Sequence, residues 1–385
     1  DKVPFKIFDK KNAEKLFGKN LNISASQLEK FNLCRFSYFC NYGLNVRERQ
    51  RAEINPMQYG TIVHYILERF FGEYTKEEYL SLEEDKFQKI VCAYLAEYAV
   101  KYFGEEQLES NSFTYRLKTI LDNVMYLMKH IMEELSQSEF FVADCELKIG
   151  EDIPSYTIVL PDGHKIAVCG SVDRVDIMQR ADITYLRIID YKTGTKQFKL
   201  SDILYGINLQ MLLYLHSIEA SGGDKYGEIV PAGILYMPAT VPYISSDSLK
   251  SIDKLPDELN KKLKMNGLLL KDTEIIHGMD KTDAATYIPV KIKAGEPVSS
   301  TSLATLAEFG KIFKKVDMLI AEMGKNIYNG NIEAKPLKGG HDSCEYCPYD
   351  SVCAYRQSNP ITCFSVDNKT VIEEITNEIN GKEEE

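Results

Sequence analysis

The stretch Ile188-Ile189-Asp190-Tyr191-Lys192-Thr193-Gly194 decides the fold of this 385-residue chain. Residues 185–191 are rich in β-branched and aromatic side chains, and so is the run at 166–177, which the polar residues 179–182 separate from it. Two short runs of this composition around a polar turn predict adjacent antiparallel strands. Because helical patterns lie on both sides of these strands, we expect a mixed α/β domain.

The second strand carries a carboxylate and an ammonium group at its end. Side chains alternate along a strand, so Asp190 and Lys192 point to one face, whereas Ile189 and Tyr191 point to the other. Asp173 lies on the preceding strand and is expected to come opposite. Two carboxylates from neighbouring strands form the hard oxygen site that Mg²⁺ prefers. A nearby lysine can orient an attacking water or stabilise developing charge.

This pair of residues also has a simpler interpretation. An Asp-x-Lys pair on a strand is more often a solvated edge with a weak surface ion pair. The two isoleucines before Asp190 favour the end of a buried strand instead. They therefore favour a functional site.

Helical periodicity dominates outside this hairpin. Ser24 with Gln27, or Ser26 with Glu29, would form a capping box that opens a helix. Apolar residues at helical or strand spacing predict helices at 60–71, 113–135, 203–218, 259–265 and 303–329, a strand at 230–237 and a loop at 242–256.

The charge balance excludes one class of protein. The chain has 46 basic and 57 acidic residues, a net charge of −11, which argues against a surface that is positive throughout for duplex DNA. A nucleic-acid enzyme stays possible, because an active-site groove can be basic locally. Residues 371–385 hold six Glu and one Lys. We expect this tail to be a solvated or frayed end.

Targeting and membrane signals are weak throughout the sequence. No apolar run approaches the roughly 18 residues that a spanning helix needs. The first residues lack a secretion signal, and the sequence does not begin with Met. We therefore expect a cytoplasmic protein, a fragment of a longer chain in which residues 1–21 are a lead-in.

Three of the nine cysteines lie within ten residues, in the pattern Cys344-x2-Cys347-x5-Cys353. In a long chain without a secretion signal this grouping favours a metal or cluster site over a disulfide framework. A tetrahedral metal or a cuboidal cluster needs a fourth ligand. By residue type, the alternatives for that ligand are Cys34, Cys40, His341 and Cys363.

Four short motifs together resemble the core of RecB-like PD-(D/E)XK nucleases. They are Gly60-x-x-x-His64, the Gly-x-x-Asp-Arg-x-Asp of residues 170–176, the Ile-Ile-Asp-Tyr-Lys of residues 188–192, and Gln210-x-x-x-Tyr214. They occur in that family's order over about 155 residues. The resemblance implies the nuclease fold, a central mixed β-sheet flanked by helices, with a helical N-terminal part and a C-terminal cysteine cluster.

The resemblance also implies which residues do the chemistry. His64, Asp173 and Asp190 would ligate the metal, Mg²⁺ or Mn²⁺. The backbone carbonyl of Tyr191 would be a further ligand, and Lys192 would be the catalytic lysine.

Further residues would complete the site by the same resemblance. Gln210 and Tyr214 would line it and contact the DNA strand, and Glu146 sits where these folds often place an additional acid. Each has an ordinary alternative. His64 would otherwise be a satisfied helix histidine, and Gln210 and Tyr214 would form the polar edge of a core helix.

Residues 22–358 are similar to the AddB-type (also RexB-type) nuclease domain, and its catalytic core is expected at about 141–220. Residues 359–385 would follow the domain as an acidic tail. That similarity implies a 4Fe–4S cluster held by one cysteine before the core and three after it. These ligands would be Cys34, Cys344, Cys347 and Cys353, and structural zinc is the alternative occupant. Arg35 departs from the family, which usually has Pro there.

The function implied is that of a Mg²⁺-dependent deoxyribonuclease, an exonuclease domain within a helicase–nuclease that processes DNA double-strand ends for recombinational repair. Its substrate would be single-stranded DNA, and its partner an AddA-type helicase–nuclease subunit in a heterodimer. Arg174, Lys196 and Lys199 would meet backbone phosphates or be ordinary surface charges. The alternatives are a non-catalytic scaffold that binds DNA ends or partners, and a compact stand-alone Cas4-like nuclease.

Overall fold

The computed structural model describes residues 6–47, 56–104, 110–194, 196–241, 255–282, 284, 286–299, 301–353, 355 and 360–383. Its strands are β1 (Leu21–Ile23), β2 (Phe141–Ile149), β3 (Thr157–Val159), β4 (Lys165–Val168), β5 (Gly170–Arg180), β6 (Ile183–Lys192), β7 (Glu228–Pro238), β8 (Asn266–Leu270), β9 (Lys291–Lys293), β10 (Glu296–Val298), β11 (Leu303–Ala304), β12 (Leu337–Gly339) and β13 (Ile361–Cys363). The central sheet has the strand order β11-β8-β7-β6-β5-β2. It is mixed, because β5 is antiparallel to β2 and β6, whereas β6 and β7 run parallel. The predicted mixed sheet is therefore confirmed.

Helices pack around this sheet. They are α1 (Lys10–Phe17), α2 (Ala25–Leu33), α3 (Arg35–Tyr38), α4 (Pro56–Glu73), α5 (Lys76–Leu80), α6 (Glu84–Phe103), α7 (Asn111–Gln137), α8 (Gln210–Ser221), α9 (Gly223–Tyr226), α10 (Leu255–Leu263), α11 (Thr273–Met279), α12 (Leu306–Tyr328) and α13 (Asn368–Glu383). α4 contacts β2 and β6, and α8 contacts β6 and β7. In the described part of the chain, none of the helices has both the length and the hydropathy needed to cross a lipid bilayer.

The central hairpin forms as predicted, but its first strand is shorter than the sequence pattern suggested. β5 begins at Gly170, and residues 165–168 pair with β1 and β3 in a separate small sheet. Gly170 has a φ of +153°, and a Cβ atom there would lie 2.2 Å from the Tyr214 hydroxyl oxygen. Only glycine fits both the backbone and this close contact, so one predicted strand becomes two.

The predicted helix at 203–218 is interrupted. Residues 200–205 form a 3₁₀ turn, and α8 starts only at Gln210. Gly206 and Asn208 have positive φ values of +69° and +53°, which break the helical path. A Cβ atom at Gly206 would lie 2.2 Å from the Asn32 side chain, so the turn is packed tightly against α2.

Two capping boxes set the start of important helices. The Ser24–Gln27 pair forms the box that opens α2, which confirms the first of the two predicted alternatives. Thr305 and Glu308 form the box that opens α12. The predicted helix at 303–329 therefore starts at residue 306, because Leu303 and Ala304 pair with β8 instead.

Residues 368–383 of the C-terminal tail form a packed helix. The prediction of a solvated or frayed end is wrong for these residues. Val371 and Ile375 are fully buried, and α13 contacts α12. The Lys315 ammonium group reaches Glu378 at 2.6 Å. Apolar residues at helical spacing outweigh the acidic composition, because the glutamates occupy the outer face.

A buried histidine on α8 gives the fold a pH dependence. His216 Nε2 lies 3.0 Å from Asp317 Oδ1 on α12. Burial opposes a charge on this ring, but Asp317 and Glu219 raise the His216 pKa to about 9. Compared with about 6.5 in the unfolded chain, this corresponds to at most roughly 3 kcal/mol of stability.

We expect that stabilisation to be fully present below pH 6.5 and to be lost as the pH rises through about 9. Thermal unfolding of the native chain and of His216→Gln, followed from pH 6 to 9.5, measures it. The difference in Tm should shrink as the pH rises. A difference that stays constant would show that His216 contributes by packing against Phe313 and not by charge.

Candidate metal centre

Three carboxylates lie in a row across the strands β2, β5 and β6. Arg174 pairs with Ile189, so continuing the antiparallel register by one residue sets Asp173 opposite Asp190. On the other side of β5, Cys145 of β2 pairs with Arg174. The next residue of β2, Glu146, therefore lies beside Asp173. The backbone N–H of Tyr191 donates to Asp173 Oδ2 at 2.9 Å. The hairpin thus delivers the acids that the sequence predicted to one end of the sheet.

Helix α4 adds an imidazole to this row. His64 Nδ1 lies 2.7 Å from Glu146 Oε1, and His64 Nε2 lies 3.6 Å from Asp173 Oδ2. One ligand atom from each of His64, Glu146 and Asp173 lies within 4.8 Å of the other two. The Ser171 hydroxyl donates to Glu146 Oε2 at 2.8 Å and so fixes its position. Among the described residues, this is the group of three suited to a hard cation.

Lys192 faces the same site as Asp190, as the alternation of side chains along the strand predicted. Its ammonium nitrogen lies 2.5 Å from Asp190 Oδ2. Asp190 is 2% exposed, so the end of β6 is buried and is not the solvated edge of the simpler interpretation. Tyr191 points to the opposite face, where its hydroxyl accepts from Arg174 at 3.3 Å.

The electrostatics of the centre favour a bound cation. Burial, and then the neighbouring Asp190, raise the pKa of Asp173 to about 7. Burial opposes charge on His64, but Glu146 and Asp173 raise its pKa. Burial alone would raise the Glu146 pKa, yet hydrogen bonds from His64 and Ser171 lower it. Crowded carboxylates of this kind lose their mutual repulsion when a divalent cation binds between them.

The centre lies in an open cleft of about 900 Å³. Its walls come from α4, α6 and the ends of β2, β5 and β6. The lining residues are Gly60, Thr61, His64, Tyr65, Glu68, Tyr98, Tyr102, Glu146, Lys148, Ser171, Tyr191, Lys192, Thr193, Gly194 and Lys196. His64, Glu146 and Lys192 of the centre thus face an open cleft.

Arg174 does not meet phosphates, and that prediction is wrong. Its guanidinium is fully buried and bonds Asp176 at 2.7 Å and Glu134 of α7 at 3.2 Å. Arg187 completes the network, with Glu134 at 2.6 Å and Asp176 at 2.8 Å. Two arginines and two acids neutralise one another beneath the sheet, so Arg174 supports the hairpin. Lys196 lies in the cleft as expected, whereas Lys199 is exposed outside its lining.

The two residues of the Gln-x-x-x-Tyr motif have different surroundings. Tyr214 is buried against Gly170, and burial raises its pKa to about 12. Gln210 is the first residue of α8 and is half-buried. In the described part of the chain, the Gln210 side chain makes no hydrogen bond to the carboxylates.

Three of the four predicted cluster cysteines, Cys34, Cys347 and Cys353, come together from distant parts of the sequence, whereas Cys344 is not a member of their cluster. Cys34 stands in extended backbone between α2 and α3, and the Phe36 and Ser37 amides hydrogen bond to its sulfur. Cys34 packs with Tyr349, Cys347 and Cys353 in one small hydrophobic cluster. A fourth thiol, Cys40, also lies in that cluster. Burial raises the pKa of both Cys34 and Cys40.

Sequence reasoning missed the aromatic wall of the cleft. This wall is formed by Tyr65, Tyr98 and Tyr102. The sequence gives no sign of it, because these tyrosines have the same helical spacing as ordinary core residues. Ser171 was also missed as the donor to Glu146. A polar residue two positions before the predicted metal ligand Asp173 was the available signal, because such residues share a strand face.

Residues 22–354 match the PD-(D/E)XK nuclease superfamily. The chain therefore belongs to this superfamily, whose members use divalent metals, as the four motifs and the mixed sheet predicted. It is 35% identical over 397 residues to a Clostridium kluyveri protein, and 34% identical over 354 residues to one from Thermoanaerobacter pseudethanolicus. Each of these two proteins is named as one of the subunits of an ATP-dependent helicase/deoxyribonuclease.

The alignments cover 99% and 89% of this chain, but only 34% and 30% of those two relatives. A Clostridium acetobutylicum protein of the same name is 34% identical over 360 residues, again with 30% of its length covered. The chain thus spans about a third of the length of these relatives. The predicted resemblance to the AddB-type nuclease domain is confirmed.

Proposed function

We propose that the chain is a Mg²⁺-dependent deoxyribonuclease domain that hydrolyses single-stranded DNA. The convergence of His64, Glu146 and Asp173 beside an open cleft, with Asp190 opposite Asp173, is the observation that carries this proposal. His64, Asp173, Asp190 and the Tyr191 carbonyl would hold the metal, with Mn²⁺ as a substitute for Mg²⁺. Oxygen-rich surroundings and the raised Asp173 pKa fit a hard divalent cation.

Each side chain of the centre then has a distinct task. A bound Mg²⁺ polarises a phosphodiester and lowers the pKa of an attacking water. Glu146 holds the Nδ1 side of His64, which leaves Nε2 facing Asp173 and the ligand position. The Tyr191 amide fixes Asp173. Lys192 keeps a positive charge beside Asp190, where it stabilises the developing negative charge on the phosphate.

The names of the relatives support a partner for this domain. They describe one component of an ATP-dependent helicase/deoxyribonuclease, and we propose an AddA-type helicase–nuclease subunit as partner in a heterodimer. The helicase would feed a single strand into the cleft at DNA double-strand ends, as recombinational repair in the cytoplasm requires. Lys196 in the cleft would meet the phosphate backbone of that strand.

Cleavage of end-labelled single-stranded DNA tests the activity directly. The native chain should degrade the labelled strand with Mg²⁺ or Mn²⁺, and EDTA should stop the reaction. A duplex without free single strands serves as the control substrate and should be cut more slowly. Binding of DNA without cleavage, even after the cognate helicase is added, would identify the chain as a scaffold.

We also propose a 4Fe–4S cluster held by Cys34, Cys344, Cys347 and Cys353. Cys34, which precedes the nuclease core, packs in one small cluster with Cys347 and Cys353, which follow it, and this grouping supports the proposal. Structural zinc is the alternative occupant. The backbone amides of Phe36 and Ser37 hydrogen bond to the Cys34 sulfur, an arrangement that suits a ligand thiolate.

A further inference from the structure

One wall of the cleft is aromatic. Tyr65 of α4 and Tyr98 and Tyr102 of α6 line the same cavity as His64 and Lys192. The Tyr98 and Tyr102 ring centroids are 4.4 Å apart with an interplanar angle of 36°, and the Tyr65 ring lies 5.2 Å from Tyr98. The three rings therefore form one continuous surface beside the metal centre.

The outer ring of this wall is open, and the inner rings are fixed. Tyr102 is 55% exposed, whereas Tyr98 beneath it is 5% exposed. Phe103 packs against Tyr98 at 6.0 Å. The Tyr65 hydroxyl donates to Glu97 at 2.8 Å, and Arg69 contacts both groups. The exposed Tyr102 ring therefore stands on a packed aromatic base.

Cations stand around this wall. The Lys101 ammonium lies 5.0 Å from the centre of the Tyr102 ring. Lys192 and Lys196 line the same cleft, which also holds the carboxyl groups of Glu68 and Glu146. A groove that combines cations with exposed rings is the common arrangement for single-stranded nucleic acid, because phosphates follow the cations while unpaired bases stack on the rings.

We propose that Tyr102 is a stacking platform for one unpaired base of the DNA strand whose phosphodiester is cut at the metal centre. This inference rests on the proposed nuclease function and deepens it, since it names what the cleft recognises. Bases within a duplex are already stacked and paired, so only a single strand offers a free face. Tyr102 would thereby bind substrate and set the preference for single-stranded DNA without reading sequence.

Steady-state cleavage of two labelled oligonucleotides tests the platform. One is an ordinary single strand, and the other carries a run of abasic sites. On the ordinary strand Tyr102→Ala should raise KM about tenfold, about 1.4 kcal/mol, with kcat nearly unchanged. On the abasic strand Tyr102→Ala should match the native chain. Tyr102→Phe should behave as native on both, because it keeps the ring.

Tyr115→Ala is the matched control, because Tyr115 is 73% exposed and lies outside the cleft lining. It should leave KM unchanged. An equal KM increase on both strands for Tyr102→Ala would overturn the platform, as would no increase on the ordinary strand. If the native chain cuts neither strand even after the cognate helicase is added, the nuclease proposal fails separately. The platform is then decided by metal-free binding of the same oligonucleotides, measured by fluorescence anisotropy.

Discussion

Replacing Asp190 with Asn is expected to abolish cleavage of single-stranded DNA and to weaken Mn²⁺ binding, whereas Lys192→Met should abolish cleavage and leave the metal bound. Asp190 is buried opposite Asp173 and is one of the proposed metal ligands, so its loss would remove a ligand. Lys192 contributes only charge beside it. Each substitution should lower kcat by about 10²–10³-fold or more. Metal binding is measured by isothermal titration in the absence of DNA.

Lys199→Met is the matched control for the lysine, because Lys199 is exposed outside the cleft lining. It should cleave at the native rate. Native metal affinity in Asp190→Asn would exclude Asp190 as a ligand and transfer that role to Glu146. Loss of metal binding in Lys192→Met would show that the lysine maintains the geometry of the centre.

Replacing Cys34 with Ser is expected to release the cluster and destabilise the whole domain. A cluster ligated by both Cys34 and Cys344 would close a loop of about 310 residues. Closing a loop of that length corresponds to roughly 5 kcal/mol of chain entropy. Anaerobically purified native chain should be brown, with about four irons per chain. Cys34→Ser should lose the colour and show a much lower Tm.

Cys40→Ser is the control, since Cys40 lies in the same buried cluster of residues but is not among the proposed ligands. It should keep its iron and unfold close to the native temperature. Loss of iron in Cys40→Ser, with iron retained in Cys34→Ser, would identify Cys40 as the fourth ligand. A colourless, zinc-loaded native chain would contradict the iron–sulfur proposal altogether.

The central hairpin was predictable because its signals are local. Alternating β-branched residues around the polar turn at 179–182 specify two paired strands, and the register then sets Asp173 opposite Asp190. The cysteine trio is an equally local signal, because thiols at that spacing have few structural uses. The metal or cluster site that it indicates stays a prediction.

Other features depend on contacts between distant residues, which no local pattern contains. The break before α8 follows from the left-handed Gly206 packed against Asn32. The burial of Arg174 depends on Glu134, which lies 40 residues earlier in the sequence. The acidic tail looked solvated because its burial needs a partner, α12, that lies far from it in sequence.

The buried pairs of Arg174 and Arg187 with Asp176 and Glu134 have a consequence for folding errors. A one-residue slip of β5 against β6 would carry every side chain to the other face of the sheet. Arg187 on β6 would then lose Asp176, and Glu134 on α7 would lose Arg174, at a cost of about 3–5 kcal/mol for each broken pair. The same slip would separate Asp173 from Asp190. A chain with this misaligned hairpin would therefore be too unstable to accumulate. The buried charge network thus protects the alignment of the metal centre.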